Sequence, residues 1–267
     1  MPPGRRPPKN KSGPRRQPGG WDAVAAWYDG WVGRDGSHHH QRLAIPALLR
    51  LLDARPGQQI LDVGCGQGVL APHISQTGAP HTGADVSQRL LDYARQHHGQ
   101  HGRFIQADAA RLHRSDIIEE ASFDAVVFLL SLQDMNPLDE VIHAADWALK
   151  PGGRVVMLLT HPAFRIPRQS GWGFDESRKL RYRRVDRYLT ELPVPMKQHP
   201  GKPSGVTISF HRPISAYVNL LGTRGLLIDR MEEIPVGDAS LKKNRPKAEK
   251  LADDEIPLFL ALRARKR

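Results

Sequence analysis

Ile60-Leu61-Asp62-Val63-Gly64-Cys65-Gly66-Gln67-Gly68-Val69 is the stretch on which the fold of this chain turns. A short apolar run over 59–63 passes into three glycines spaced by two, and a helical pattern over 69–76 follows. Glycine at such a turn lets the backbone bend sharply and approach a ligand with no Cβ in the way. The turn alone could serve a dinucleotide, a flavin or no ligand. Its spacing is G-x-G-x-G, not the G-x-G-x-x-G of dinucleotide sites. Asp62, at the strand's carboxyl end, would repel a pyrophosphate and attract an ammonium, directly or through water.

Strand and helix patterns alternate on both sides of this turn. Helical spacing covers 41–53, with Pro46 near the first turn or kinking it, and recurs at 88–97. Apolar runs at 81–86 and 103–106 read as strands, and 123–130 is apolar on both faces, as a central parallel strand should be. A helix over 137–149, opened by proline and closed by Lys150-Pro151-Gly152-Gly153, leads to a strand at 154–159. This alternation means an α/β fold, doubly wound, with a parallel sheet covered on both faces. Residues 161–206 lack clear periodicity and read as a lid-like insertion. Order returns with a helix at 215–223 and strands at 226–234 and 257–264, while the charged segment 237–255 is expected to be mobile.

Two more acids end the next two strands. Asp85, in Gly83-Ala84-Asp85-Val86-Ser87, suits a ribose diol, and Asp108, in Gln106-Ala107-Asp108-Ala109, suits an adenine amino group. Ammonium, ribose and adenine together describe S-adenosylmethionine (SAM) lying across the carboxyl edge of the sheet.

The ordered set ILDVGCGQG, GADVS, FIQADAARL, FDAVVFLLSLQ and LKPGGRVVMLL resembles the successive motifs of class I SAM-dependent methyltransferases, above all the bacterial group acting on small molecules. The resemblance covers 41–160 strongly and the C-terminal third more loosely. It implies a Rossmann-like seven-stranded sheet of order 3-2-1-4-5-7-6, mostly parallel with the last strand antiparallel. It also implies SAM as cofactor, held by Asp62, Gly64, Gly66, Gly68, Asp85, Val86, Asp108, Ala109 and Leu130. Gln67 departs from the Thr, Ser or Asn expected there.

The acceptor side is read from position. His161, in His161-Pro162-Ala163-Phe164, follows the fifth strand. His211, in Phe210-His211-Arg212-Pro213-Ile214-Ser215-Ala216-Tyr217, marks the return from the insertion. Both resemble family segments, H-P-x-F and H-R-P-x-S-x-Y, and both are candidate bases or substrate hydrogen-bonders; the alternative is that each braces its loop. Tyr28, Trp31, Trp172 and Tyr217 are candidate substrate contacts. His38-His39-His40 is not read as a metal site, because adjacent histidines cannot all face one ion.

The net charge of +11 is unevenly spread. Residues 1–20 hold six Lys/Arg and no acid, whereas 21–160 hold 11 against 16 Asp/Glu. The excess therefore sits outside the motif-bearing part, and 1–20 read as a disordered basic tail ahead of one methyltransferase domain over 21–267. The Arg-rich run 178–187 reads as a solvated surface. A small-molecule acceptor is expected. An RNA or protein acceptor, or a non-catalytic SAM- or NAD-binding module, is the alternative; the N/D-P-P-Y/F motif suited to a planar exocyclic amine is missing after the fourth strand. No apolar run reaches the roughly 20 residues of a membrane span, and the single Cys65 and the tail without an apolar core point to a cytoplasmic address.

Overall fold

The computed structural model describes residues 20–197, 206–241 and 244–267. The expected basic tail, apart from Gly20, lies outside the described residues. The strands are β1 (Ile60–Val63), β2 (His81–Asp85), β3 (Arg103–Gln106), β4 (Phe123–Leu129), β5 (Leu149–Thr160), β6 (Ser170–Asp175), β7 (Leu180–Val185), β8 (Leu192–Lys197), β9 (Val206–His211), β10 (Leu226–Ile234) and β11 (Phe259–Lys266). The helices are α1 (Trp21–Val32), α2 (Ile45–Leu52), α3 (Ala71–Ser75), α4 (Gln88–His98), α5 (Leu138–Ala148), α6 (Ile214–Thr223) and α7 (Lys247–Glu255).

Seven strands form one sheet in the order β10-β11-β5-β4-β1-β2-β3, with β11 antiparallel to both neighbours. That is the order 3-2-1-4-5-7-6 which the resemblance implied. Because both faces of the sheet are covered and side chains alternate between them, residues 125–129 of β4 and 155–159 of β5 are apolar without a break. Val126, Phe128, Val155, Met157 and Leu159 enter one core layer, while Ala125, Val127, Leu129, Val156 and Leu158 enter the other. Ser87 caps α4 by accepting the Leu90 N–H at 3.2 Å, so the chain turns into a helix directly after Asp85.

Three readings change. The helix expected over 41–53 is a π-helical turn, His40–Ala44, followed by α2 with Pro46 in its first turn, where its missing N–H costs nothing. The aperiodic 161–206 holds the hairpin β6–β7 and most of β8–β9. Periodicity was hidden there because arginines, not apolar residues, cover Trp172 on β6, and because Pro193 and Pro195 sit within a short outlying strand. The segment 237–255 carries α7, whose buried face is little more than Ala252, helped by Arg245–Asp253 at 2.9 Å.

Candidate functional site

The carboxyl ends of β1, β2 and β4 meet around the glycine turn. Gly64, Gly66 and Gly68 have φ of 72°, 55° and 81°, a region that penalises a Cβ. A Cβ on Gly64 would lie 2.6 Å from both Ser131 and Met135, so the loop after β4 packs directly on the turn. Asp85 braces it from the side: its Oδ2 accepts the Gly66 N–H at 2.9 Å and its Oδ1 accepts the Ser87 N–H at 2.8 Å. Burial pushes the Asp85 carboxyl up to about 6, against the pull of those amide donors.

Above the turn lies a cavity of about 420 Å³ lined by Gly64, Gly66, Asp85, Val86, Asp108, Ala109 and Leu130, among others. Asp108 accepts the Ala110 N–H at 3.0 Å through Oδ1, and its Oδ2 lies 3.9 Å from Arg111 Nε. Leu130 sits at φ 53°, a left-handed conformation of the kind that collects at functional sites. Two expected contacts lie elsewhere. Gly68 does not line the cavity: a Cβ there would press to 2.9 Å on the Phe104 ring, so this glycine serves packing of the turn on the sheet. Asp62 is buried beneath the turn, 3.4 Å from His81 Nε2, with Oδ1 unpartnered among the described residues. It faces a void of about 20 Å³ under Gly64 and Gly66, the size of one water.

A second cavity, of about 480 Å³, adjoins the first, and Trp21, Tyr28, Leu130 and Asp134 line both. Its walls are apolar and aromatic, with Trp27, Trp31, Pro162, Pro167, Met196 and Phe210; Gln133, Arg165, Ser209, His211, Arg212 and Tyr217 supply polar groups. Tyr28, Trp31 and Tyr217, expected as substrate contacts, are on its lining. Trp172 is not: it lies among the guanidinium groups of Arg181, Arg165 and Arg183, 4.2, 5.0 and 5.2 Å from its ring. The Arg-rich run is therefore partly a stack on this indole and not wholly a solvated surface.

The two histidines separate. His211 lines the second cavity and donates Nε2–H to the Tyr188 carbonyl at 2.7 Å, leaving Nδ1 as its basic nitrogen. His161 lines neither cavity. Its Nδ1 accepts the Ala163 N–H at 3.2 Å and its Nε2–H donates to Glu233 at 3.0 Å, so both nitrogens brace the loop after β5. Burial lowers its pKa, with Glu233 opposing.

A family model described as a methyltransferase domain matches residues 61–157. A ubiquinone biosynthesis O-methyltransferase of Idiomarina loihiensis is 35% identical over 99 residues, 37% of this chain and 41% of that relative. A demethylmenaquinone methyltransferase of Tropheryma whipplei is 35% identical over 118 residues, 43% of this chain and 48% of that relative. The crystal structure of an S-adenosylmethionine dependent methyltransferase from Mesorhizobium loti superposes with a TM-score of 0.69 at 28% identity, covering 88% of this chain and all of that one. Residues 61–157 are thus similar to methyltransferase domains, and the fold over most of the chain is that of an S-adenosylmethionine dependent methyltransferase. The chain spans under half the length of these two curated relatives. A Listeria monocytogenes structure at 24% identity and TM-score 0.64 shares the fold.

Asp134, which lines both cavities, was not among the residues singled out from the sequence. It lies in the 3₁₀ turn Leu132–Asp134 after β4, and its carboxylate accepts a hydrogen bond from Ser209 on β9. Burial pushes it up to about 7. An acid a few residues beyond a central strand was the available signal. Among the described residues no helix is long and apolar enough to cross a membrane, and no cluster of ligating side chains suits a metal.

Proposed function

We propose that the methyltransferase passes a methyl group from SAM to a small, largely apolar acceptor, with Asp134 as proton acceptor. The observation that carries this is the junction of the two cavities at Tyr28, Leu130 and Asp134. In the first cavity, Asp85 would take the ribose hydroxyls, Asp108 the adenine amino group, and Gly64 and Gly66 the backbone approach, with Asp62 acting through water. The unpartnered Asp62 oxygen and the Cβ-free floor suit that group. Bound SAM supplies a sulfonium methyl open to in-line displacement, a reaction in which positioning provides much of the rate.

The chain's own part is to hold the acceptor and take its proton. Aromatic walls orient a flat apolar molecule, and Pro162, Arg165, Pro167 and Met196 cover the same space. Asp134, poised near neutrality, accepts the proton that a hydroxyl or protonated amine sheds as its heteroatom gains the methyl. His211 Nδ1 is a further hydrogen-bond acceptor on the same wall, whereas His161 keeps to its loop.

Calorimetric titration with SAM, then S-adenosylhomocysteine release assayed against pools of small phenols and amines, tRNA and peptides, tests this reading. Micromolar SAM affinity with turnover on small molecules is expected. Turnover confined to RNA or protein, or none on any pool, overturns it.

A further inference from the structure

His81 is a buried titratable side chain that lines neither large cavity. It opens β2, where the parallel register sets it against Ile60, and sets Gly83 against Asp62. Residues two apart on a strand share a face, so the imidazole and the Asp62 carboxylate lie on one face of the sheet, and Gly83 puts no side chain between them. His81 Nε2 stands 3.4 Å from Asp62 Oδ2, with the two side chains 0% and 2% exposed. A carboxylate only accepts, so Nε2 carries the hydrogen and donates. Among the described residues this is the one hydrogen bond either side chain makes, since Asp62 Oδ1 and His81 Nδ1 have no partner. The imidazole is fixed from behind. The Phe104 ring meets it edge-on at 5.6 Å between centroids, and a Cβ on Gly102 would collide with Nδ1. A buried carboxylate is costly, and one that loses its single donor has nothing left to hold its orientation.

The pair sits directly below the cofactor edge. Gly64, Gly66 and Tyr28 line both the small void over Asp62 and the first cavity, so one layer of backbone separates that carboxylate from a ligand there. Asp85 and Asp108 are assigned to the ribose and the adenine, which leaves the charge beneath the glycines for the amino-acid end. At short range in a poorly solvated site a carboxylate acts on an ammonium without touching it. We propose that His81 is the positioning residue for Asp62, holding the carboxylate so that a ligand with the amino-acid end is favoured over the bare nucleoside, an inference that rests on the methyl-transfer reading of the site.

The test compares S-adenosylhomocysteine with 5′-methylthioadenosine, which has the same adenine, ribose and sulfur but no amino-acid end. Each is titrated by calorimetry into the full chain, and wild type should prefer S-adenosylhomocysteine. His81→Phe keeps a ring against Phe104 and removes the donor. It should weaken S-adenosylhomocysteine about tenfold, as expected for a lost charge-assisted hydrogen bond, and leave methylthioadenosine within about twofold. His81→Gln, whose side-chain N–H extends to a similar point, should restore most of the preference. An equal loss for both ligands would show that His81 only braces the turn, and it overturns the inference. So does a wild type without preference, an unchanged affinity in His81→Phe, or a folded His81→Gln that restores nothing. If His81→Phe does not fold, the imidazole nitrogen resonances of His81 in wild type decide. Saturation with S-adenosylhomocysteine should move them and methylthioadenosine should not; equal shifts, or none, overturn the inference. Failure of wild type to bind S-adenosylhomocysteine would instead strike the methyl-transfer reading itself.

Discussion

Replacing Asp134 by Asn tests the assignment of the base most directly, because function and stability should move in opposite directions. Asn keeps the shape and can still accept the Ser209 hydrogen bond, but it takes no proton. The carboxyl sits at about 7 in the folded protein against an ordinary 3.8. Raised this way, the folded state holds its proton more tightly than the unfolded chain. The associated stability is full below about pH 4 and is lost as pH rises toward 7. The gap of about three decades, at roughly 1.4 kcal/mol each, sets an upper bound near 4 kcal/mol. A half-buried group facing an open cavity retains part of its hydration, so about 1–3 kcal/mol is the working figure. Asp134→Asn should therefore be more stable than wild type at pH 8, by a few degrees in a domain of this size, and equal to it near pH 4. Its kcat at saturating SAM should fall roughly 10²–10⁴-fold, and the acid limb near pH 7 should disappear. Urea denaturation at pH 4 and 8, with pH–rate profiles of both proteins, makes the measurement. A variant with wild-type kcat and an unchanged acid limb would refute the base; one with no stability gain at pH 8 would refute the burial argument.

Asp85→Ala should weaken SAM binding by about 1–3 kcal/mol in calorimetry. Wild-type SAM affinity should be full above pH 6 and decline below it, as the carboxyl at about 6 takes up its proton. His161→Gln should lower the melting temperature, since a buried imidazole bridging Ala163 and Glu233 is lost, while the shape of the pH–rate profile stays as in wild type; a lost limb would restore His161 as a base. Trp172→Ala should loosen the β6–β7 hairpin, read as faster hydrogen exchange at 170–185, because three guanidinium groups lose their stacking surface; unchanged exchange would show that the stack holds nothing.

Much of the cofactor half was legible because its chemistry is local. A strand end, a glycine-bearing turn and an acid two or fewer residues away are set by neighbours in the chain, so Gly64, Gly66, Asp85 and Asp108 could be placed from spacing. Gly68 shows the limit of that reasoning: its positive φ is readable, but whether it meets a ligand or the Phe104 ring is decided by β3, 35 residues away. His161 shows it again, since its partner Glu233 is 72 residues distant.

The acceptor half had no such local signal. Asp134, Ser209, His211, Arg212 and Tyr28 come from three separate parts of the chain, and only folding α1 and β9 onto the turn after β4 gives them one cavity. The raised carboxyl of Asp134 is a consequence of desolvation. By itself the sequence determined the doubly wound sheet, because alternating period-2 and period-3.6 apolar patterns admit few other burials, and it determined the cofactor edge. Tertiary structure alone decided which polar groups would lose their water, because burial depends on the elements that pack around a group and not on its neighbours in the chain.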